Sequence, residues 1–174
     1  MLDAKRVLIV DDSSTIRLYL RAVLAQGGAI TQEATCGEEA LQMIRSNLSY
    51  DLILLDLILP DLDGIEVLHQ LRKIDENSAV VVLTGMGGIK SATAAVREGA
   101  DGYMEKRDLA LGSDHTEFYY ALQQAIEHRA GLVAQRQLQQ FKTDFYSMIT
   151  HDLRNPAGSD SILASKGLSW RPKT

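Results

Sequence analysis

The chain has 174 residues, of which 45% are hydrophobic and 24% are charged, and its formal net charge is −5 at pH 7. This composition suits one ordinary globular domain with some length left over, and the negative charge argues against binding nucleic acid through bulk electrostatics. The single cysteine, Cys36, excludes an internal disulfide and a multi-cysteine metal cluster. It is typical of a protein in the reducing cytosol, so we expect a cytoplasmic location.

The N-terminal residues carry no sign of a targeting segment or a membrane span. Only four apolar residues, at 7–10, follow the first basic residues, which is too short for a signal-peptide core. No later stretch approaches the roughly eighteen apolar residues that a membrane-spanning helix needs. We therefore expect a soluble chain.

Short apolar runs alternate with segments of helical spacing along the first two thirds of the chain. The runs at 7–10, 52–55 and 80–83 are typical of strands buried on both faces, and weaker strands are expected at 29–34 and 102–105. Five strands that alternate with helices predict an α/β, doubly wound parallel sheet covered by helices on both sides.

Four helices are predicted between these strands from their apolar spacing and their end signals. The first follows Ser13 and stops at Gly27-Gly28, and the second opens at Glu38. The third opens at Asp63-Gly64, and the fourth runs over 91–98 and ends at Gly99.

A much longer helix is predicted from about residue 114 to residue 155, where there is no proline and only one glycine, Gly131. Residues along it recur at steps of three and four, which is a heptad seam: Leu138, Phe141, Phe145, Met148 and Asp152. An earlier seam, at 122–133, is out of phase and indicates a stutter near Gly131. A dimeric coiled coil and a single amphipathic helix packed on its own domain both stay open, and the length favours the coiled coil.

Polar residues follow the predicted strands at the points where the strands end. They are Asp11 and Asp12 after the first strand, Asp56 after the third, Thr84 after the fourth and Lys106 after the fifth. In an open parallel sheet ligands bind beyond the carboxyl ends of the strands, so these side chains should converge at one edge.

This group of side chains predicts a phosphoryl-transfer site. Three clustered carboxylates repel one another unless a cation lies among them, and hard oxygen ligands suit Mg²⁺. A carboxylate can attack a phosphoryl group, for which Mg²⁺ and Lys106 would supply positive charge and the Thr84 hydroxyl would bind a phosphoryl oxygen. Each residue alone would be read as a helix cap or a surface charge, but the five together favour a site.

The combined pattern resembles the receiver domain of bacterial response regulators over residues 5 to about 128. It consists of Asp11-Asp12, Asp56 with Pro60 and Gly64 downstream, Thr84, Tyr103 and Lys106. The resemblance implies a flavodoxin-like sheet of order 2-1-3-4-5, with Asp56 as the phosphoacceptor and a cognate histidine kinase or a small phosphodonor as the partner.

The same resemblance implies a role for each of the other residues in the pattern. Asp11, Asp12, Asp56 and the backbone carbonyl of Ile58 would bind Mg²⁺. Thr84 and Tyr103 would form a switch pair, and Lys106 would contact the phosphoryl group.

Arg107 departs from the receiver pattern, because receivers usually place a proline after the lysine. That proline commonly sets a cis peptide bond, which is costly before any other residue. We therefore expect a trans bond here and a differently aimed loop. Further upstream, Asp61-Leu62-Asp63 does not directly follow a strand, so it predicts a turn and a helix cap.

The long helix carries a second signal, because the string at 151–156, His-Asp-Leu-Arg-Asn-Pro, resembles the H-box of sensor histidine kinases. The resemblance implies that His151 is a phosphorylated nucleophile and that Asp152 polarises its imidazole as a general base. Pro156 would end the helix. The ATP-binding domain of such a kinase does not follow, so we expect no unaided autophosphorylation and no enzyme activity of the chain alone.

These patterns predict a receiver domain over 1–128, a helical linker and coiled coil over 129–156, and a disordered tail over 157–174. The predicted function is phosphoryl acceptance on Asp56 in a phosphorelay, with output through the C-terminal helix of a homodimer. Two alternatives stay open. One is a fragment of a hybrid sensor histidine kinase with His151 as acceptor, and the other is a purely structural dimeriser.

Overall fold

The computed structural model describes residues 2–46, 49–85, 89–109 and 115–154. The predicted tail over 157–174 lies outside the described residues, as does the side chain of Asp152.

Five strands form one parallel sheet of order β2-β1-β3-β4-β5, which confirms the predicted order. The strands are β1 (Arg6–Val10), β2 (Ile30–Ala34), β3 (Leu52–Asp56), β4 (Ala79–Thr84) and β5 (Gly102–Glu105). Every residue of β3 and β4 is buried, whereas the edge strands β2 and β5 are partly accessible. This burial explains why the central strands read as continuous apolar runs.

Within the described residues, six helices connect and follow the strands. They are α1 (Ser14–Gln26), α2 (Gly37–Arg45), α3 (Gly64–Ile74), α4 (Ile89–Arg97), α5 (Lys106–Leu109) and α6 (Thr116–Arg154). Helix α4 begins two residues before the predicted start, and the single-turn α5 is not predicted by any periodicity. The long helix α6 confirms the predicted C-terminal helix.

The ends of α1 lie where the sequence places them. The Ser13 hydroxyl accepts a hydrogen bond from the N–H of Ile16, which caps the first turn. At the other end Gly27 is the C-cap, and Gly28 has a φ of +84°, a conformation that favours glycine. This turn leads the chain directly into β2.

The sheet carries one apolar layer on each face. Along β1, Leu8 and Val10 belong to the layer under α2 and α3, while Val7 and Ile9 belong to the layer under α1 and the first part of α6. This alternation follows from the period of two in a strand. The two layers together hold the strand ends, and hence the polar residues that follow them, in a common plane.

The chain divides into two compact units, residues 1–133 and 134–174. In the first unit α6 contributes Phe118, Leu122 and Ala125 to the buried layer. In the second unit every described side chain, from 134 to 151, is exposed. Among the described residues, no helix is long and apolar enough to cross a membrane.

Candidate functional site

Three carboxylates meet beyond the carboxyl ends of β1 and β3. Asp11 is fully buried and Asp56 is 3% exposed, whereas Asp12 is exposed. One carboxylate oxygen from each residue lies within 4.8 Å of the other two. The structure therefore brings together the three acidic residues that the strand ends predict.

Lys106 supplies the positive charge of this acidic group. It follows β5 directly, and its Nζ lies 2.6 Å from Oδ2 of Asp11 and 2.7 Å from Oδ2 of Asp56. The contact with Asp56 is an aligned hydrogen bond, but the contact with Asp11 is an ion pair without hydrogen-bond alignment. Oδ2 of Asp11 is thus buried with no hydrogen-bond partner among the described residues.

The titration of Asp56 and Lys106 reflects this shortage of positive charge. Burial raises the pKa of the Asp56 carboxyl, and the nearby Asp11 carboxylate adds to the rise, although hydrogen bonds from Lys106 and the N–H of Ile58 oppose it. Burial alone would lower the pKa of Lys106, but Asp11 and Asp56 outweigh that effect and raise it. The Lys106 ammonium contacts two of the three carboxylates, those of Asp11 and Asp56, so a further cation would be stabilised here.

The donor set fits a hard divalent cation such as Mg²⁺. Three carboxylate oxygens within mutual reach are ligands of the kind that Mg²⁺ prefers. One carboxylate oxygen of the group, Oδ2 of Asp11, is buried without a hydrogen bond to the described residues. Ile58 lies at the edge of this group, and its N–H donates to Oδ1 of Asp56 over 3.2 Å. The chain therefore has the residues to hold one cation against Asp56.

Thr84 and Tyr103 lie on neighbouring strands of the sheet. Thr84 is buried at the end of β4 and helps to line a cavity of about 370 Å³ beside the acidic group, together with Leu57, Ile58 and Lys90. Tyr103 packs against the apolar layer under α2 and α3. Its Oη is buried and has no hydrogen-bond partner among the described residues.

The loop between β3 and α3 is held by two aspartates. Asp63 caps α3, because its Oδ1 accepts from the N–H of Ile65 over 2.8 Å. Asp61 instead caps α2, and its two oxygens accept from the N–H groups of Gly37 and Glu38, each over 2.8 Å. These contacts confirm the predicted turn and helix cap, and Asp61 ties the loop that carries Ile58 to a second helix.

The loop after β5 has the expected trans backbone, because the described residues contain no cis peptide bond. Arg107 keeps its N–H and lies in the one-turn helix α5, where its Nε contacts Oε2 of Glu105 over 2.6 Å. On α6, the side chain of His151 is exposed.

One residue at the site was missed by the sequence reasoning. Arg17 lies on α1 and donates to the backbone carbonyls of Asp11 and Asp12. Arg17 lies one helical turn into α1. Its spacing from Asp11 and Asp12 therefore indicates a contact only when Ser13 is known to be the N-cap of α1.

The sheet order and the acidic group define a flavodoxin-like α/β domain. Its carboxylates could bind a cation at the carboxyl ends of the strands. Residues 7–110 match the family model of the response regulator receiver domain. The chain belongs to this family. The matched residues include the whole acidic group and stop well before His151.

Curated relatives of the chain include chemotaxis and response-regulator proteins. The chemotaxis protein CheY of Halobacterium salinarum is 37% identical over 103 residues, which cover 59% of this chain and 85% of that protein. The response regulator MprA of Mycobacterium ulcerans is 39% identical over 101 residues, which cover 58% of this chain and 43% of that protein. The chain thus spans less than half the length of MprA.

Solved structures include similar receiver proteins. The response regulator TrrA of Thermotoga maritima in complex with Mg²⁺ and BeF is 30% identical, with a TM-score of 0.59, and the match covers 70% of this chain and 98% of that one. A Burkholderia pseudomallei response regulator with a phosphorylated aspartic acid and a calcium ion is 26% identical, with a TM-score of 0.61. The match covers 78% of this chain and 74% of that one.

Proposed function

We propose that this chain accepts a phosphoryl group on Asp56, with Mg²⁺ bound at the acidic group, as one step of two-component signalling in the cytosol. The donor would be a cognate histidine kinase or a small phosphodonor. The observation that carries the proposal is the buried Asp56 carboxylate, held 2.7 Å from Lys106 and grouped with two further carboxylates. Membership of the receiver family supports it.

Asp56 would act as the nucleophile. One carboxylate oxygen forms a bond to phosphorus while the bond from phosphorus to the donor breaks, and the leaving acetate or imidazole keeps the electron pair. The N–H of Ile58 holds Oδ1 of Asp56, and Lys106 holds Oδ2, so the carboxylate is oriented before the donor arrives. Lys106 would then neutralise charge on the transferred group, and the Thr84 hydroxyl would bind one of its oxygens.

Asp11, Asp12 and Asp56 would hold Mg²⁺, with the backbone carbonyl of Ile58 as a further ligand. When bound, the ion would neutralise charge on the phosphoryl group and on the carboxylates. The buried Oδ2 of Asp11 supports this assignment, because it has no aligned hydrogen bond and shares the Lys106 ammonium with Asp56, so a second cation would stabilise it further.

The switch pair would convert phosphorylation into a change of side-chain packing. In the structure the Tyr103 ring is packed inward and its hydroxyl has no hydrogen-bond partner among the described residues. A rearrangement that gives this hydroxyl a hydrogen bond would therefore be favourable. When Thr84 binds a phosphoryl oxygen, its side chain would change the space available to Tyr103 on the neighbouring strand β5. We infer that the Tyr103 ring then rotates.

Output would run through α6 in a homodimer. The second unit carries an exposed apolar stripe at heptad spacing, Leu138, Phe141, Phe145 and Met148. Polar residues occupy the other positions between 139 and 144. We infer that a second copy of this chain covers the stripe. Apolar residues that repeat every 3.5 positions pack against an identical stripe in a coiled coil, whereas exposure of the stripe to water is unfavourable.

The proposal is tested by the binding of beryllofluoride, a phosphoryl mimic, in the presence of Mg²⁺. Fluorine NMR of the wild type should show a bound signal that depends on Mg²⁺, and Asp56→Asn should show none. Asp51→Asn is the matched control, because Asp51 pairs with Lys5 away from the acidic group. Equal signals from the wild type and Asp56→Asn would refute Asp56 as the acceptor.

A second candidate function is that of a histidine-kinase fragment in which His151 accepts the phosphoryl group. The observation that favours it is the exposure of His151 on a helix that carries the apolar stripe. Mixing the chain with an isolated ATP-binding domain and ATP should then give an acid-labile label that His151→Gln lacks. Dimers that neither bind Mg²⁺ nor take up label would instead support the purely structural dimeriser.

A further inference from the structure

The side chain of Arg17 spans the turn that follows β1 and carries Asp11 and Asp12. Its Nη1 donates to the carbonyl oxygen of Asp11 over 2.7 Å and to that of Asp12 over 3.0 Å. Its Nε donates to Oε2 of Glu33, on the neighbouring strand β2, over 3.0 Å. These contacts leave the arginine largely buried, with 14% of its side chain exposed.

We propose that Arg17 is a positioning residue for metal binding, one that acts by holding the backbone from which Asp11 and Asp12 project. This inference rests on the proposed function, because it assumes that these two carboxylates bind Mg²⁺. Arg17 contacts their carbonyls and leaves their carboxylates to the cation.

The geometry of the guanidinium explains why an arginine suits this place. One nitrogen has two protons, and the two go to the carbonyls of two consecutive residues, which sets the orientation of both peptide groups. The Nε proton goes to a different strand, so the planar group cannot rotate without losing a contact. An ammonium on a flexible stem has no such fork.

Among the described residues, Asp11 has further hydrogen bonds of its own, whereas the carbonyl of Asp12 is bound by Arg17. The N–H of Ser13 donates to Oδ1 of Asp11, and the N–H of Asp11 donates to the carbonyl of Ala34. Asp12 is exposed, and Arg17 links its carbonyl to α1, while the N–H of the same peptide group, that of Ser13, donates to Asp11. The position of the Asp12 carboxylate should therefore depend on Arg17.

Arg17 affects a bound cation in two opposite ways. Its hydrogen bonds pre-organise the ligands, which strengthens binding, whereas its positive charge repels a cation, which weakens binding. Glu33 partly neutralises that charge. Arg17→Lys keeps the charge and loses the fork, while Arg17→Gln loses both, so the two variants separate the effects.

Arg21 offers a matched control on the same acidic partner. Its Nη1 contacts Oε1 of Glu33 over 3.3 Å, but its side chain is 55% exposed. It lies one turn further along α1 than Arg17, and among the described residues Glu33 is its ion-pair partner. Arg21→Lys and Arg21→Gln therefore repeat the chemical changes near Glu33 and leave the carbonyl contacts of Arg17 in place.

The experiment titrates Mg²⁺ into the wild type and the four variants by calorimetry at constant ionic strength. We expect Arg17→Lys to bind Mg²⁺ about tenfold more weakly, as is typical when an outer partner of metal ligands is lost. Arg17→Gln should also bind more weakly, but with a smaller loss, because it removes the repelling charge as well. Both Arg21 variants should stay within about twofold of the wild type, because an exposed ion pair contributes little.

A second measurement separates positioning from a general loss of structure. At saturating Mg²⁺ the affinity for beryllofluoride should be unchanged in the Arg17 variants, because Asp56 and Lys106 are untouched. A pocket that is merely disordered would lose affinity for both ligands. Glu33→Gln, which keeps Arg17 itself, should weaken Mg²⁺ binding by about threefold, less than Arg17→Lys.

Three results would overturn the inference. The first is normal Mg²⁺ affinity in both Arg17 variants, and the second is tighter binding in Arg17→Gln with no change in Arg17→Lys, which would leave a charge effect alone. The third is an equal loss of Mg²⁺ and beryllofluoride affinity. A wild type that binds no Mg²⁺ would overturn the proposed function as well, and this outcome is distinct because all six proteins would then behave alike.

Discussion

Arg129 of α6 donates a hydrogen bond from Nε to Oδ2 of Asp101 over 3.0 Å, and both side chains are buried. Asp101 immediately precedes β5, and the same oxygen accepts from Nη2 of Arg72 on α3 and from the N–H of Val80 on β4, each over 2.9 Å. Arg129 also donates to the carbonyl of Gly99 over 2.7 Å. This carboxylate therefore joins α3, β4 and α6 at the edge of the sheet opposite the acidic group.

Arg129→Met should lower the free energy of unfolding by about 3 kcal/mol, the lower end of what a broken buried ion pair costs, because Arg72 still contacts Asp101. Urea unfolding of the first unit, followed by circular dichroism, measures the change. His128→Gln is the control. His128 also contacts Asp101, but its side chain is 57% exposed, so the loss should stay below about 1 kcal/mol. Similar small losses in both variants would contradict a structural role for the Arg129 contact.

Asp61→Ala should destabilise the fold by about 1 kcal/mol near neutral pH, the usual cost of a lost helix cap. Burial raises the pKa of Asp61, but hydrogen bonds from backbone N–H groups, chiefly those of Glu38 and Gly37, together outweigh it and lower the pKa from 3.8 to about 2. A lowered pKa in the folded state means that the stabilisation is present above about pH 4 and is lost as the pH falls towards 2.

The difference in stability between the wild type and Asp61→Ala should therefore narrow in acid. Urea unfolding at about pH 6 and at about pH 3 measures it. A difference that is the same at both pH values would show that the charge of Asp61 does not cap α2.

Tyr103→Phe should raise the free energy of unfolding of the unphosphorylated protein by up to about 1 kcal/mol, because it removes a buried hydroxyl that has no hydrogen-bond partner among the described residues. Tyr50→Phe is the matched control. The Tyr50 hydroxyl donates to Oε1 of Gln32 over 2.6 Å, so its removal should cost about 1 kcal/mol. Thermal or urea unfolding compares the two, and a loss of stability in Tyr103→Phe would show that its hydroxyl is satisfied.

Phe141→Glu should convert the proposed homodimer to a monomer. It would place a charge in the centre of the apolar stripe, which costs about 3 kcal/mol or more and corresponds to a loss of affinity of about 100-fold. Sedimentation velocity over a range of concentrations measures the change. Thr143→Glu adds the same charge two residues away on the same helix, off the seam, and should stay dimeric. A wild type that is monomeric at every concentration would contradict the proposed coiled coil.

Much of the fold could be predicted from local patterns. The continuous apolar runs predicted β1, β3 and β4 because these strands are buried on both faces, and Ser13 and Gly27 predicted the ends of α1 through capping. The convergence of Asp11, Asp56 and Lys106 followed from the rule that parallel strands end at one edge.

The parts that could not be predicted are contacts of long side chains between distant elements. Asp61 caps a helix that begins 24 residues earlier, and Arg129 reaches a carboxylate 28 residues away. Such side chains have many rotamers, and the choice depends on packing that periodicity does not encode. Helix α5 was missed for a different reason, because four residues are too few to show a helical period.

The central claim, that Asp56 is the phosphoacceptor, is tested most directly by labelling the chain with radioactive acetyl phosphate and Mg²⁺ and then determining the chemistry of the label. An acyl phosphate is lost in alkali, whereas a phosphohistidine survives alkali and is lost in acid. We expect an alkali-labile label on the wild type and on His151→Gln, and none on Asp56→Asn. An equal label on Asp56→Asn, or an alkali-stable label that disappears in His151→Gln, would contradict the assignment of Asp56.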